Sequence, residues 1–198
     1  MKVSTTILTL ILATATAMAS IDPQDLTVQR DVTSGTMIVR TTVALEHAAK
    51  IVLLDAFNNE VYSDSVQRGA FINKRFPLKS FPLSSYRLII TDNYGKTEQP
   101  LSMKSRGAIA KASSASRLVY PRVDLRAERT LVLDYANATG RKVNVRIANQ
   151  AGETVFSDQV SGEDVQKSYD LDALASGDYE VIVSARDVKE YTTSFALR

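Results

Sequence analysis

One pattern of alternating side chains occurs twice in this chain of 198 residues, with an offset of 94 positions between the copies. Residues 61–66 read Val-Tyr-Ser-Asp-Ser-Val, and residues 155–160 read Val-Phe-Ser-Asp-Gln-Val. At the same offset residues 37–39 correspond to residues 131–133, and further on an offset of 93 aligns the two Tyr-containing runs that begin at Tyr86 and Tyr179. Ordered matches with a single gap indicate duplication, and therefore two related units.

Within each unit, hydrophobic side chains alternate with polar ones. Residues 143–147, which read Val-Asn-Val-Arg-Ile, are the clearest example. A period of two places every second side chain on one face of a strand, and these runs are short and separated by turn residues. The sequence therefore predicts an all-β protein of two tandem immunoglobulin-like antiparallel β-sandwich domains. Residues 41–50 are the main exception, because they could form two helical turns.

The first residues predict a secretory signal peptide. Lys2 precedes an uncharged run over residues 7–15, and the small residues Ala17-Met18-Ala19 precede Ser20. This order predicts cleavage after Ala19. The whole uncharged run over residues 3–20 is rich in Thr and Ala and falls below the roughly 20 strongly apolar residues of a spanning helix. No later segment satisfies that requirement. We therefore predict an exported protein of the periplasm, the outer surface or the extracellular space, with no integral membrane segment in the mature chain.

A basic stretch rich in Ala and Ser separates the two units. Residues 104–117 carry four basic side chains and no acidic one, a composition typical of a linker. The predicted organisation is a signal peptide at 1–19, a first β-sandwich domain at 20–103, a linker at 104–117 and a second β-sandwich domain at 118–198. The net charge of the whole chain is only +2, so no nucleic-acid partner is predicted.

Groups that carry catalysis or bind metals are sparse. The chain has no Cys and a single His, His47, which excludes thiol chemistry and His-rich metal sites. We therefore predict a protein that is not an enzyme and has no cofactor, with His47 as a surface side chain. Acidic residues flank turns near 158–164 and 170–178, and calcium bound by loop oxygens is an alternative to solvated turns. The calcium-binding D-x-D-x-D-G signature is absent, which favours solvated turns.

The second unit resembles a known family. Residues 149–156 read Asn-Gln-Ala-Gly-Glu-Thr-Val-Phe, residues 169–171 read Tyr-Asp-Leu, and residues 174–181 read Leu-Ala-Ser-Gly-Asp-Tyr-Glu-Val. These segments are similar to the C-terminal sorting domains of type IX secretion cargo in Bacteroidetes, and to related exported immunoglobulin-like modules of that phylum. The resemblance covers residues 118–198 and implies a β-sandwich fold together with a role in secretion or surface attachment.

Two functions stay open from the sequence. The chain suits a non-enzymatic structural or binding protein of the cell envelope or surface, with an unknown protein or glycan partner. Alternatively, its second domain is a sorting signal for type IX secretion or surface attachment. Exposed strand edges would also permit self-association. Aromatic residues anchor many interfaces, and the first domain has a concentration of them that defines a candidate binding patch. This patch comprises Phe57, Phe71, Phe76, Phe81 and Tyr94.

Overall fold

A computed structural model describes residues 21–31, 33–104, 107–110, 115–126 and 129–198. Within these ranges the chain forms sixteen strands and two single-turn 3-10 helices, Pro23–Asp25 and Leu78–Ser80, and every strand pairing is antiparallel. The prediction of an all-β, antiparallel protein is confirmed. Neither short helix in this part of the chain has the length or hydropathy to cross a bilayer. The predicted signal peptide, 1–19, lies outside the described residues.

The first half of the chain forms two sheets that pack against each other. Its strands are β1 Leu26–Asp31, β2 Thr36–Thr41, β3 Ala49–Leu54, β4 Glu60–Val66, β5 Asn73–Pro77, β6 Ser85–Asp92, β7 Gly95–Lys104, β8 Gly107–Ala110 and β9 Ser116–Val119. One sheet has the order β1-β2-β5, and the other has the order β4-β3-β6-β7-β8, with β9 also pairing with β7. Alternate side chains of both sheets, such as Met37, Ile51 and Leu88, are fully buried and form the first core.

The second half repeats this arrangement of sheets. Its strands are β10 Arg122–Arg126, β11 Thr130–Ala136, β12 Val143–Asn149, β13 Thr154–Val160, β14 Asp164–Asp170, β15 Gly177–Ser184 and β16 Tyr191–Leu197. The sheets have the orders β10-β11-β14 and β13-β12-β15-β16. Leu133, Ile147 and Val181 belong to a second buried cluster, the second core, which shares no residue with the first.

Strand order and register agree between the halves. The β3–β4 pair has an irregularity between Leu53 and Leu54, and the β12–β13 pair has one between Ile147 and Ala148, at the offset of 94 found in the sequence. The two halves have separate cores and the same strand order. This agrees with the predicted division into two domains, and that division stays a prediction. We call the two halves the first and second sandwich.

Part of the predicted linker is strand. β8 lies inside residues 104–117 and β9 begins there, and both pair with β7 of the first sandwich. Leu118 of β9 also packs against the second core. Arg117 of the same strand forms an ion pair with Asp22, 3.3 Å between Nη1 and Oδ2. Backbone pairing to the first sandwich and side-chain packing against the second therefore join the two halves.

Residues 42–48 form an irregular loop and not the two helical turns that the sequence allowed. The Leu45 amide donates to the Ala70 carbonyl, 2.9 Å, and the Gly69 amide donates to the Leu45 carbonyl, 2.8 Å. The Leu45 side chain is buried in the first core. Tertiary contacts thus override the local helix preference of this Ala-rich stretch.

The Asp64 carboxylate connects neighbouring side chains at one edge of the first sandwich. It accepts hydrogen bonds from the Lys74 ammonium group and from the Tyr62 hydroxyl, the latter at 3.1 Å. The hydrogen bond from Lys74 is the largest cause of a lowered pKa at Asp64, and the Ser65 amide and the Tyr62 hydroxyl lower this pKa further. The charged form of Asp64 is therefore favoured by folding.

Asp64→Asn is expected to reduce the acid sensitivity of the fold. Because the pKa of Asp64 is lower in the folded chain than its ordinary value of 3.8, its charge stabilises the fold above that value and this stabilisation is lost as the pH falls through the folded pKa. Urea unfolding from pH 7 down to about pH 2 measures the effect. The gap in unfolding free energy between the wild type and Asp64→Asn should shrink with falling pH, and a constant gap would contradict this role for the charge.

Candidate functional site

A side-chain hydrogen-bonded turn connects β12 and β13, in the first of the segments that carry the family resemblance. The Asn149 side-chain oxygen accepts hydrogen bonds from the amides of Ala151 and Glu153, each at 3.0 Å. Gly152 has a φ of 80°, a left-handed conformation that glycine adopts without steric cost. The Asn149 amide group also donates to the Glu153 carboxylate, 2.9 Å. This segment therefore encodes a closed turn of the Asx type.

The first sandwich builds the same turn with different residues. The Asp55 carboxylate accepts the amides of Phe57, 2.8 Å, and Asn59, 2.9 Å. Asn58 takes the left-handed conformation here, with a φ of 69°. Asn tolerates this conformation better than most residues that have a side chain, which explains why the turn needs no glycine.

A second shared feature lies at the start of β6 and of β15. The Tyr179 hydroxyl donates to the Ala175 carbonyl at 2.9 Å, and the Tyr86 hydroxyl donates to the Pro82 carbonyl at 3.0 Å. Each tyrosine therefore bonds to the backbone four residues upstream. Tyrosine corners of this kind fix the entry of a strand into an immunoglobulin-like sandwich. The run over residues 174–181 thus has a structural role.

The two sandwiches meet at a cluster of tyrosines. The Tyr120 amide donates to the Tyr94 carbonyl at 2.8 Å, and the rings of Tyr120 and Tyr191 stack with 5.7 Å between their centroids. Burial raises the pKa of Tyr120, and the negative charge of Asp92 adds to this shift. These rings line a concavity of about 220 Å³ together with Arg122 and residues beside it. The concavity is small, and aromatic and polar groups share its lining.

Most of the second sandwich matches a known family of protein domains. Its β11 to β15 and nearly all of β16 fall within the segment that matches the model of the secretion system C-terminal sorting domain. Residues 127–196 match this sorting-domain family. The resemblance inferred from the sequence is confirmed. The sorting domain points to export and to a location on the cell surface or outside the cell.

Solved structures show only distant similarity to the chain. The BSP domain of a biofilm associated protein has 10% identity and a TM-score of 0.30, with 87% of this chain and 29% of that chain covered. A β-glucuronidase from Parabacteroides merdae has 12% identity and a TM-score of 0.24, with 83% and 28% covered. The chain thus spans less than a third of the length of either protein. No curated protein matches the chain.

Three basic side chains lie together at one end of the second sandwich. Arg141, Lys142 and Arg186 are exposed and line one open concavity of about 770 Å³, which also includes Asn144. Within the described ranges none of the three cations forms an ion pair. We call this surface, defined by Arg141, Lys142 and Arg186, the cationic end. Sequence reasoning missed it, because Arg186 is distant in sequence from the other two and the fold brings the loops together.

The hydroxyl of Tyr135 anchors one loop of the cationic end. It donates to the Asp187 carboxylate at 2.9 Å, and the Tyr135 side chain is otherwise buried in the second core. Burial is the main cause of the raised pKa of Tyr135, and the hydrogen bond to Asp187 adds to it. This contact holds the loop between β15 and β16 next to the end of β11.

The aromatic residues of the predicted binding patch occupy different environments. Phe76 and Phe81 come together, with 6.2 Å between their ring centroids, but Phe76 is buried in the first core and Phe81 packs against it. Phe57 and Phe71 are 84% and 57% exposed, on the loops that precede and follow β4. Tyr94 lies in the turn between β6 and β7. The structure therefore does not bring the five residues of the patch together, because the exposed Phe57 and Phe71 lie at opposite ends of β4.

His47 lies against Tyr94. The centroids of the His47 and Tyr94 rings are 4.2 Å apart, and the His47 Nε2 atom is buried without a hydrogen-bond partner. The sequence predicted a surface side chain, whereas the ring is half-buried. Packing against the tyrosine ring accounts for this position.

Two acidic residues from the turn regions of the second sandwich accept hydrogen bonds within the chain. The Asp170 carboxylate accepts the Asp172 amide at 2.8 Å, and the Asp158 carboxylate accepts the Tyr169 hydroxyl at 3.1 Å. In the described portion of the chain, no three His, Asp or Glu side chains are grouped so that they could hold a metal ion. Asp170 therefore takes part in a turn, whereas Asp158 connects β13 to β14.

Proposed function

We propose that the second sandwich is a sorting signal that directs the first sandwich through type IX secretion to the cell surface or the medium. The family match over residues 127–196 carries this proposal. It coincides with strands that have their own hydrophobic core, so the segment has the properties of a folded recognition module. The cationic end, with Arg141, Lys142 and Arg186, is a surface on which an acidic partner could recognise the signal.

In this proposal the first sandwich is the cargo, and it is a binding or structural module without catalytic activity. The chain has no Cys and one His, and the ring of that His packs against Tyr94. The first sandwich exposes Phe57 and Phe71 on loops at opposite ends of β4. Exposed aromatic side chains on loops suit contact with a protein or a glycan. In this proposal the two halves arose by duplication of one module. The second copy then took the sorting role and the first took the binding or structural role.

Truncation after Val119 tests the sorting function. This cut keeps every strand of the first sandwich, including β9, which pairs with β7. The full chain is expected on the cell surface or in the medium, whereas the truncated chain should be retained inside the outer membrane. Fractionation followed by immunoblotting measures this distribution, and limited proteolysis of the retained chain checks that the first sandwich is folded. A folded truncated chain that is released as efficiently as the full chain would contradict the proposal.

A further inference from the structure

The last strand of the second sandwich has one open edge. Among the strands that the structure describes, β16 pairs with β15 alone. The corresponding strand of the first sandwich, β7, pairs with β6 on one side and with β8 and β9 on the other. Both strands occupy the same place in the strand order, but only β7 is covered on its outer edge.

The open edge leaves inward-facing side chains incompletely buried. On β7 the inward-facing Thr97 and Leu101 are 0% and 3% exposed. Leu101 lies opposite Tyr86, and Phe195 of β16 lies opposite the corresponding Tyr179. Phe195 is only partly buried, as are Tyr191, which stacks on Tyr120, and Thr193 of the same strand. A further strand beside β16 would complete the burial of these side chains.

The composition of β16 also distinguishes it from the other outer strands. Its seven residues read Tyr-Thr-Thr-Ser-Phe-Ala-Leu and include no charged residue, Pro or Gly. Each of the other outer strands with five or more residues, β1, β4, β5, β10, β13 and β14, carries at least one charge. Charged side chains on outer strands prevent pairing between sheet edges. β16 lacks this protection and is rich in residues that favour strands.

We propose that β16 pairs edge to edge, in antiparallel orientation, with β16 of a second copy of this chain. Antiparallel pairing of two identical strands has a two-fold symmetry axis. When all seven residues pair, this axis passes through Ser194, which lies opposite Ser194 of the other copy. Thr193 then lies opposite Phe195, a pair of a β-branched and an aromatic residue of the kind that stabilises sheets. Both side chains face the cores, so two four-stranded sheets become one sheet of eight strands.

A second copy of this chain is the partner that fits the open edge of β16 best. A neutral strand has no charge with which to attract a charged partner, whereas symmetric pairing places identical neutral residues together without like-charge repulsion. The partly buried Tyr191 of one copy lies opposite Leu197 of the other, which is already buried in its own chain, so the contact covers Tyr191 at each end. This inference does not depend on the sorting function.

Ser194→Lys tests the contact without disturbing the isolated chain. Within one chain residue 194 is the register partner of Glu180 on β15, so a lysine there gains an opposite charge across the strands. In the dimer two lysines face each other on the axis. Sedimentation equilibrium of the full chain should show a dimer with a dissociation constant below about 1 mM, and Ser194→Lys should raise this constant at least about fivefold at low salt.

The matched control is Ser168→Lys, which places the same charge on the exposed face of another outer strand, β14. This variant should leave the dissociation constant within about twofold of the wild-type value. A wild-type chain that stays monomeric throughout the concentration range would overturn the proposal. An equal effect of both lysines would also overturn it.

Cysteine cross-linking identifies the occupant directly. The chain has no Cys, so Ser194→Cys can form a disulfide only with another molecule. Opposed residues of antiparallel strands have Cβ atoms about 5 Å apart, close to disulfide distance. Under mild oxidation Ser194→Cys should form a covalent dimer at least about tenfold faster than Ser168→Cys, since only position 194 is held next to itself. Equal rates, or cross-linking of position 194 to a different protein of the producing cell, would overturn self-pairing.

Discussion

Leu133→Ala is expected to destabilise the second sandwich by about 3 kcal/mol. Leu133 is fully buried on β11, opposite Val123 of β10, and belongs to the second core. Removing its branched side chain loses apolar burial and leaves a cavity that a closely packed core fills only in part. Hydrogen exchange of the native chain, with urea unfolding for the magnitude, measures the loss.

The matched variant is Val39→Ala, at the corresponding position of the first core. Val39 is also fully buried, and its smaller side chain predicts a smaller loss of about 2 kcal/mol. Leu133→Ala should accelerate exchange in β12 and β15, whereas Val39→Ala should accelerate it in β3 and β6. Equal acceleration in both halves from either variant would show that the two cores unfold as one unit and would contradict their independence.

Asn137→Ala is the second change with a large expected effect, a loss of about 2 to 3 kcal/mol. The Asn137 side chain is fully buried between two loops. Its amide group donates to the carbonyls of Arg141, 2.7 Å, and Gly162, 2.8 Å, while its oxygen accepts the Thr139 hydroxyl at 2.8 Å. Alanine would leave buried polar groups unpaired and would release the loop after β11 from the loop after β13.

Thr139→Val is the control for this variant, because it removes the hydroxyl that donates to Asn137 but leaves both contacts of the Asn137 amide group in place. We expect a loss of about 1 kcal/mol or less. Thermal or urea unfolding of both variants measures the difference. If Asn137→Ala costs no more than Thr139→Val, the link between the two loops does not stabilise the second sandwich.

The sequence predicted the strands well because burial in a sheet follows directly from a period of two. Val143, Val145 and Ile147 are buried and the residues between them are exposed, as their alternation indicated. The sequence also indicated turn residues between the strands, but it did not show which hydrogen bonds close each turn. Asn favours an Asx turn, but the residue type alone does not show that the Asn149 side chain accepts two backbone amides.

Non-local pairing accounts for the parts of the fold that the sequence did not reveal. Residues 104–117 are rich in Ala and Ser, which carry little hydrophobic pattern, yet β8 and β9 use their backbones to pair with β7. A strand of small residues at a sheet edge is stabilised by its neighbour and leaves no periodic signal of its own. The loop over residues 42–48 is similar, since its conformation depends on contacts with Gly69 and Ala70.

The candidate site was harder to predict than the fold, because residue type does not separate core from surface. The aromatic side chains of the first domain looked alike in sequence, yet Phe76 is buried whereas Phe57 is exposed. The cationic end depends on the proximity of three loops, which only the folded chain provides. The family resemblance of the second unit was readable because its turns are short, local and built from characteristic residues.

The four residues of β9 have a mechanical consequence. They are hydrogen-bonded along β7, and the chain continues from Val119 directly towards β10. Tension between the two sandwiches would therefore be borne at once by the interstrand hydrogen bonds of β9, because no slack chain separates β9 from β10. Rupture of that short ladder is the first extension event expected when a single molecule is pulled from its two ends.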